Sequence, residues 1–109
     1  MDLKEFLVQG SSESPYQVVF KKVGSKFSAH CSCPAGQNGQ FCKHRSRIMA
    51  SSSEDVISGN EVEIPIVVSW IKGTNVEANL AEISRLEIEL EKTKSALAKA
   101  KKALAKSLN

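Results

Sequence analysis

The chain has 109 residues, 41 % of them hydrophobic and 25 % charged, with a formal net charge of +3 at pH 7. That length allows one compact domain and an extension, and the composition is that of an ordinary soluble protein. No apolar run approaches 18 residues and no signal-like segment opens the sequence, so neither a membrane span nor a secretory signal is expected, and the expected location is an intracellular, reducing compartment, cytoplasmic or nuclear.

The first segment, with Leu3, Phe6, Leu7 and Val8, reads as a short strand, and a turn cluster runs from Gly10 to Pro15. Tyr16 to Val23 follows as a strand with Tyr16, Val18 and Phe20 on one face and Gln17, Val19 and Lys21 on the other. Gly24 and Ser25 make a hairpin turn into a strand from Lys26 to Cys33, on which Phe27, Ala29, Cys31 and Cys33 share a face. His30 alternates onto the opposite face and is not a ligand on that reading.

All three cysteines lie within "HCSCPAGQNGQFCKH", spaced as Cys-x-Cys, an eight-residue loop and Cys-x-His. Cys31, Cys33, Cys42 and His44 supply the four ligands of a structural Zn²⁺. Residues i and i+2 of a strand grip one ion from the same face. Cys42 and His44 reach it if Cys42 occupies the turn before a helix and His44 the first helical turn, where the helix dipole favours a thiolate. The loop between the pairs, with Pro34, Gly36, Asn38 and Gly39, is rich in turn formers. A disulfide and plain buried thiols are the competing readings; the reducing compartment and the ligand spacing favour zinc over both.

On these residues the stretch "LVQGSSESPYQVVFKKVGSKFSAHCSCPAGQNGQFCKHRSRIM" resembles the SWIM zinc fingers, in its ligand pattern, its strand, strand, loop, helix order and its Cys-Pro and Cys-Lys-His neighbourhoods. The resemblance covers about residues 3 to 52, and after His44 the chain keeps only Ile48 and Met49 as core residues of the helix. It implies a module that binds DNA or other proteins. The large catalytic domains of relatives such as transposases and chromatin-remodelling ATPases do not fit in 109 residues, so a stand-alone finger with a helical handle is expected. A unit of about 50 residues has a marginal core, and zinc, contributing on the order of 10 kcal/mol, would dominate its stability.

Residues 1–52 thus form the finger and 53–60 a serine-rich connection. From 61 to 72, Val62, Ile64, Ile66, Val68 and Trp70 alternate with Glu61, Glu63, Pro65, Val67 and Ser69, which predicts a strand, at a sheet edge because Pro65 cannot donate to a ladder. Thr74 and Glu77 have capping-box spacing, and nothing breaks helix from 75 to 108, a length of roughly 50 Å. The predicted fold class is α+β: a zinc-stabilised hairpin with a short helix, then a strand and a long C-terminal helix of coiled-coil character.

In that helix Val76, Ile83, Leu90, Leu97 and Leu104 recur every seven residues as an a seam, while the d seam holds Leu86 among Asn79, Thr93, Ala100 and Ser107. Val76, Ile83, Leu86, Leu90, Leu97 and Leu104 are therefore the candidate self-association or partner-binding residues, with glutamates concentrated in the first half and lysines in the second. From Pro15 to Ala50 the finger carries Lys21, Lys22, Lys26, Lys43, Arg45 and Arg47 and no acidic residue. Zinc with three thiolates adds −1, leaving about +5, which suits contact with phosphates. Phe41 either stacks on an exposed base or caps the core, the basic face being in that second reading simply solvated. Two functions follow: DNA binding by the basic finger with a homodimer made by the helix, or an adaptor in which zinc is structural and the helix or the 61–72 strand binds another protein. A filled four-ligand site leaves no position for a catalytic water, so no enzyme is expected.

Overall fold

The computed structural model describes residues 2–109; Met1, the first residue of the predicted 1–52 finger, lies outside them. The chain divides into two compact units, one running to Thr74 and one from Asn75 to Asn109. Among the described residues no helix is long and apolar enough to cross a membrane.

Three antiparallel strands open the first unit: β1 (Asp2–Val8), β2 (Tyr16–Val23) and β3 (Lys26–Cys31), in the order β1-β2-β3. Alternation dictates the register. Phe6 stands opposite Val18 and Val18 opposite Cys31, while Phe20 is flanked by Lys4 and Ala29, so one face carries the apolar residues. Gly24, with φ +59°, provides the positive φ that the two-residue β2–β3 loop requires. Phe6 meets Phe20 edge-on at 5.9 Å, and Phe27 stacks beside Phe20 at 6.1 Å. Lys4, though on the inner face, brings its Nζ within 3.4 Å of Glu63.

Two short helices follow, α1 (Pro34–Gln37) and α2 (Lys43–Met49), and Ile48 of α2 closes over the sheet. The end of α2 is a Schellman motif: Ser52 N–H donates to Arg47 O (2.8 Å) and Ser51 N–H to Ile48 O (2.9 Å). Ser51 therefore sits at φ +70°, a position usually held by glycine.

The serine-rich segment after α2 lies along the free edge of β1. Gln9 N–H donates to Asp55 O, Ile57 N–H to Leu7 O, and the Asn60 side-chain amide to Glu5 O. The other edge is met by Arg45, whose guanidinium donates to Ala29 O of β3 (3.1 Å). Both edges are thus engaged within the chain, which limits their use as templates for another strand.

The strand predicted over 61–72 is a helix instead. Glu61–Glu63 form a 3-10 turn and α3 spans Ile64–Ile71. The buried residues Ile64, Val67 and Ile71 fall at i, i+3 and i+7, one face of a helix, and Ile64 and Val67 join the core. Pro65 occupies the first turn of α3, where its missing N–H has no partner to lose. It marks a helix start and not a sheet edge. The α+β class holds with that strand replaced.

The second unit is α4 (Asn75–Ser107), 33 residues with none buried. Exposed ion pairs run along it, from Arg85 to Glu82 (2.6 Å) and Glu89 (2.7 Å) and from Lys94 to Glu91 (3.9 Å). With alanine, leucine, lysine and glutamate predominating, these local terms favour helix.

Candidate metal centre

Cys31 is the last residue of β3, held in register by Val18. Pairing does not continue to Cys33 as predicted. Ser32 still bonds Gln17, its N–H donating to Gln17 O (3.0 Å) and its Oγ accepting from Gln17 N–H (2.8 Å). Pro34 then starts α1, and Cys33 becomes its N-cap, its Sγ accepting from Gly36 N–H at 3.3 Å. The ladder ends because Pro34 has no N–H to extend it, and the second ligand is aimed by a helical turn and not by strand alternation.

That turn depends on Gly36. A Cβ there would lie 2.5 Å from Cys31 O and 2.8 Å from Cys31 Cβ, so the α1 backbone approaches β3 as closely as it does only without a side chain. Cys42 and His44 stand where the sequence placed them, Cys42 as N-cap of α2 and His44 in its first turn. Cys42 makes no side-chain capping bond. Its Sγ instead lies 3.4 Å from Cys33 Sγ and 3.7 Å from His44 Nδ1, and Cys31 Sγ is 3.8 Å from the same nitrogen. The tilted ring of Tyr16 covers His44 with centroids 5.2 Å apart. Gly10 makes room for it, since a Cβ there would come within 2.4 Å of the Tyr16 ring.

The four donor atoms lie within 4.8 Å of one another and all four residues are buried. A tetrahedral zinc site with Zn–S of about 2.3 Å and Zn–N of about 2.0 Å has edges of about 3.8 Å between sulphurs and about 3.6 Å between sulphur and nitrogen. The separations of 3.4, 3.7 and 3.8 Å lie within about 0.4 Å of that frame. The sulphurs are far outside the S–S bonding length of about 2.05 Å, and all three cysteines are free. Converging donors with no bond among them fit Zn²⁺, and neither a disulfide nor inert core thiols account for that convergence. Cys31, Cys33, Cys42 and His44 would hold the metal, which would cross-link the end of β3, the start of α1 and α2.

The protein's own electrostatics prepare the site unevenly. Burial pushes the Cys31 thiol up to about 12. Burial also opposes ionisation of Cys33, but the Gly36 N–H and the neighbouring thiols outweigh it and bring that thiol below its ordinary value. His44 is lowered, chiefly by burial and then by the Lys43 charge, which keeps the imidazole neutral as a ligand must be. Its Nδ1 faces the sulphurs, while Nε2 is buried with no hydrogen-bond partner among the described residues. His30 is exposed, opposite Val19, and outside the cluster.

The remaining candidates are dispersed. Lys21 and Lys26 belong to the sheet face away from the core, whereas Lys22 turns to Trp70 and donates to its carbonyl (3.2 Å). Arg45 donates to Ala29 O and to Gln40 O (2.6 Å), and Arg47 pairs with Asp55. Lys21, Lys26 and Lys43 have no ion-pair or hydrogen-bond partner among the described residues. Phe41, 61 % exposed, borders a groove of about 450 Å³ beside the metal ligands, with Tyr16, Pro34, Ala35 and Lys43. The six candidate association residues all lie on α4, with Val76 and Ile83 half-buried and Leu86, Leu90, Leu97 and Leu104 exposed.

Sequence reasoning missed the packing roles of Gly36 and Gly10, the covering role of Tyr16 and the intramolecular partners of Arg45 and Arg47. The glycine in "CPAG" was visible as a turn former, but its contact with Cys31 arises only when α1 folds back on β3.

Residues 6–51 match the SWIM zinc finger family model, 46 of the 109 residues, and that span contains all four ligands. No curated protein and no solved structure matches the chain.

Proposed function

We propose that the SWIM-type finger at residues 6–51 is a non-catalytic, zinc-held interaction module that binds DNA beside its metal site. The observation that carries this reading is the groove where exposed Phe41 stands next to unpaired Lys43, on a finger with no acidic residue between Pro15 and Ala50. An aromatic face takes an unstacked base and a neighbouring ammonium its phosphate, without selecting a sequence. Zinc holds α1 and α2 at the spacing that forms the groove. The phosphate set is narrower than the sequence suggested. Lys43 leads it, Arg45 adds its charge while bonded to two carbonyls, and Lys21 and Lys26 lie apart on the sheet.

Fluorescence anisotropy of zinc-loaded protein against single- and double-stranded DNA, at low and near-physiological salt, tests it. Salt-sensitive binding that weakens about tenfold or more in a Phe41→Ala, Lys43→Ala variant with unchanged zinc content is expected. No binding at low salt overturns it.

A second reading has its own observation, the exposed apolar residues of α4. There zinc is purely structural, and α4 binds protein, a second copy of the chain first of all. Leu90→Asp with Leu97→Asp should then abolish association and leave zinc bound, and a variant that associates unchanged would contradict it.

A further inference from the structure

Leu86, Ile88, Leu90, Leu97 and Leu104 are 47 to 61 % exposed along α4, on a helix with no buried residue. The net charge of the same helix reverses between its two halves. From Asn75 to Glu91 it has five glutamates and one arginine, net −4, and from Lys92 to Asn109 six lysines and no acidic side chain, net +6. We infer that α4 pairs with α4 of a second copy antiparallel, with the two-fold axis between Glu91 and Lys92. This rests on the self-association reading above.

Two independent features select that arrangement. The first is the charge. Antiparallel pairing lays each acidic half on a basic half, whereas parallel pairing lays like on like over the whole length. The second is side-chain volume. The a seam is large throughout (Val76, Ile83, Leu90, Leu97, Leu104), and the d seam is small except at Leu86 (Asn79, Thr93, Ala100, Ser107). In an antiparallel pair each a residue meets a d residue of the other helix, so large meets small in nearly every layer. In a parallel pair a meets a and d meets d, giving thick layers alternating with thin ones that leave gaps.

Matching a against d with the greatest overlap of the 33-residue helix fixes one register. Leu86 packs on Leu97 of the other copy, Leu90 on Thr93, Ile83 on Ala100, Asn79 on Leu104 and Val76 on Ser107, each twice by symmetry. The axis of that register falls between residues 91 and 92, where the charge reverses. Volume and charge thus locate the same point. Beside the seam, Glu87 comes next to Lys94 of the other copy, whereas in a parallel pair Glu87 would face Glu82.

The sign of one substitution separates the arrangements. Sedimentation equilibrium of the zinc-loaded full chain at low salt would compare wild type, Glu87→Lys, and Glu87→Lys with Lys94→Glu, with helix content checked by circular dichroism. Antiparallel pairing is expected to give a dimer that Glu87→Lys weakens about tenfold and the double variant restores to within about twofold. A dimer that tightens with Glu87→Lys, or is indifferent to both changes, overturns the antiparallel register and leaves self-association standing. A monomer up to about 0.5 mM overturns both.

Discussion

From Asp2 to Thr74, order depends on residues far apart in the chain: Val18 between Phe6 and Cys31, Arg45 on the edge of β3, Asn60 on β1, and four ligands drawn from three elements. From Asn75 to Ser107 the backbone bonds are helical, and the side-chain ion pairs reach three or four residues. The first unit has a small core and little repetitive structure. Its fold pays loop-closure entropy many times over, so a cross-link at the point where β3, α1 and α2 meet changes its stability most. The second is held by local backbone bonds over a length well beyond the short helices that are marginal in water, and a second helix on its apolar seam would add to them. Zinc is therefore expected to govern one unit and leave the other largely unaffected.

The largest effect that sharpens this contrast is removal of a ligand. Cys42→Ser is expected to abolish zinc binding and, with it, a contribution on the order of 10 kcal/mol, collapsing the sheet while most helical ellipticity persists; zinc analysis and circular dichroism measure both. Acidification acts in the same direction more gradually. Zinc competes with protons for three thiolates, so its apparent affinity should fall by up to about a thousandfold per pH unit below neutrality. While the finger stays folded, burial holds His44 below its ordinary value and delays its protonation as pH falls, and once the sheet has collapsed that protection is gone. A chelator competition series across pH checks the slope, and a flat profile would break the comparison.

Gly36→Ala tests the site's packing separately from its donors. With Cβ 2.5 Å from Cys31 O, either α1 or β3 must shift, and zinc retention should weaken by about 3 kcal/mol with all four ligands still present. Competition against a chromophoric chelator reads it. Ser51→Gly is the smallest change and has the opposite sign. At φ +70° a serine is strained and a glycine is not, so the zinc-loaded finger should gain about 0.5 to 1 kcal/mol, seen as a raised thermal midpoint.

The parts legible in the sequence were those whose signals are local and of one kind. Cys-x-Cys and Cys-x-His spacing named the ligands because metal coordination demands those residue types, and Tyr16, Val18 and Phe20 alternate in a β-rich run bounded by Pro15 and Gly24, which reads as the strand found there. The segment from Val62 to Ile71 fits two periods at once. Its apolar residues alternate, yet Ile64, Val67 and Ile71 also form a helical face, and the deciding residue, Pro65, is acceptable at a sheet edge and preferred in a first helical turn. For Arg45 and Arg47 only the charge was legible. Their charge is local, but the carbonyls and the carboxylate they bond to are set by the fold.

The most direct test of zinc as the organiser of one unit only is residue-resolved amide hydrogen exchange of the full chain, with zinc and after its removal by a chelator. We expect β1, β2, β3 and α2 to lose protection when the metal leaves, while amides across the middle of α4 exchange at nearly the same rate in both states. Protection of the three strands that survives metal removal would contradict the account, since the sheet would then stand on its apolar core alone.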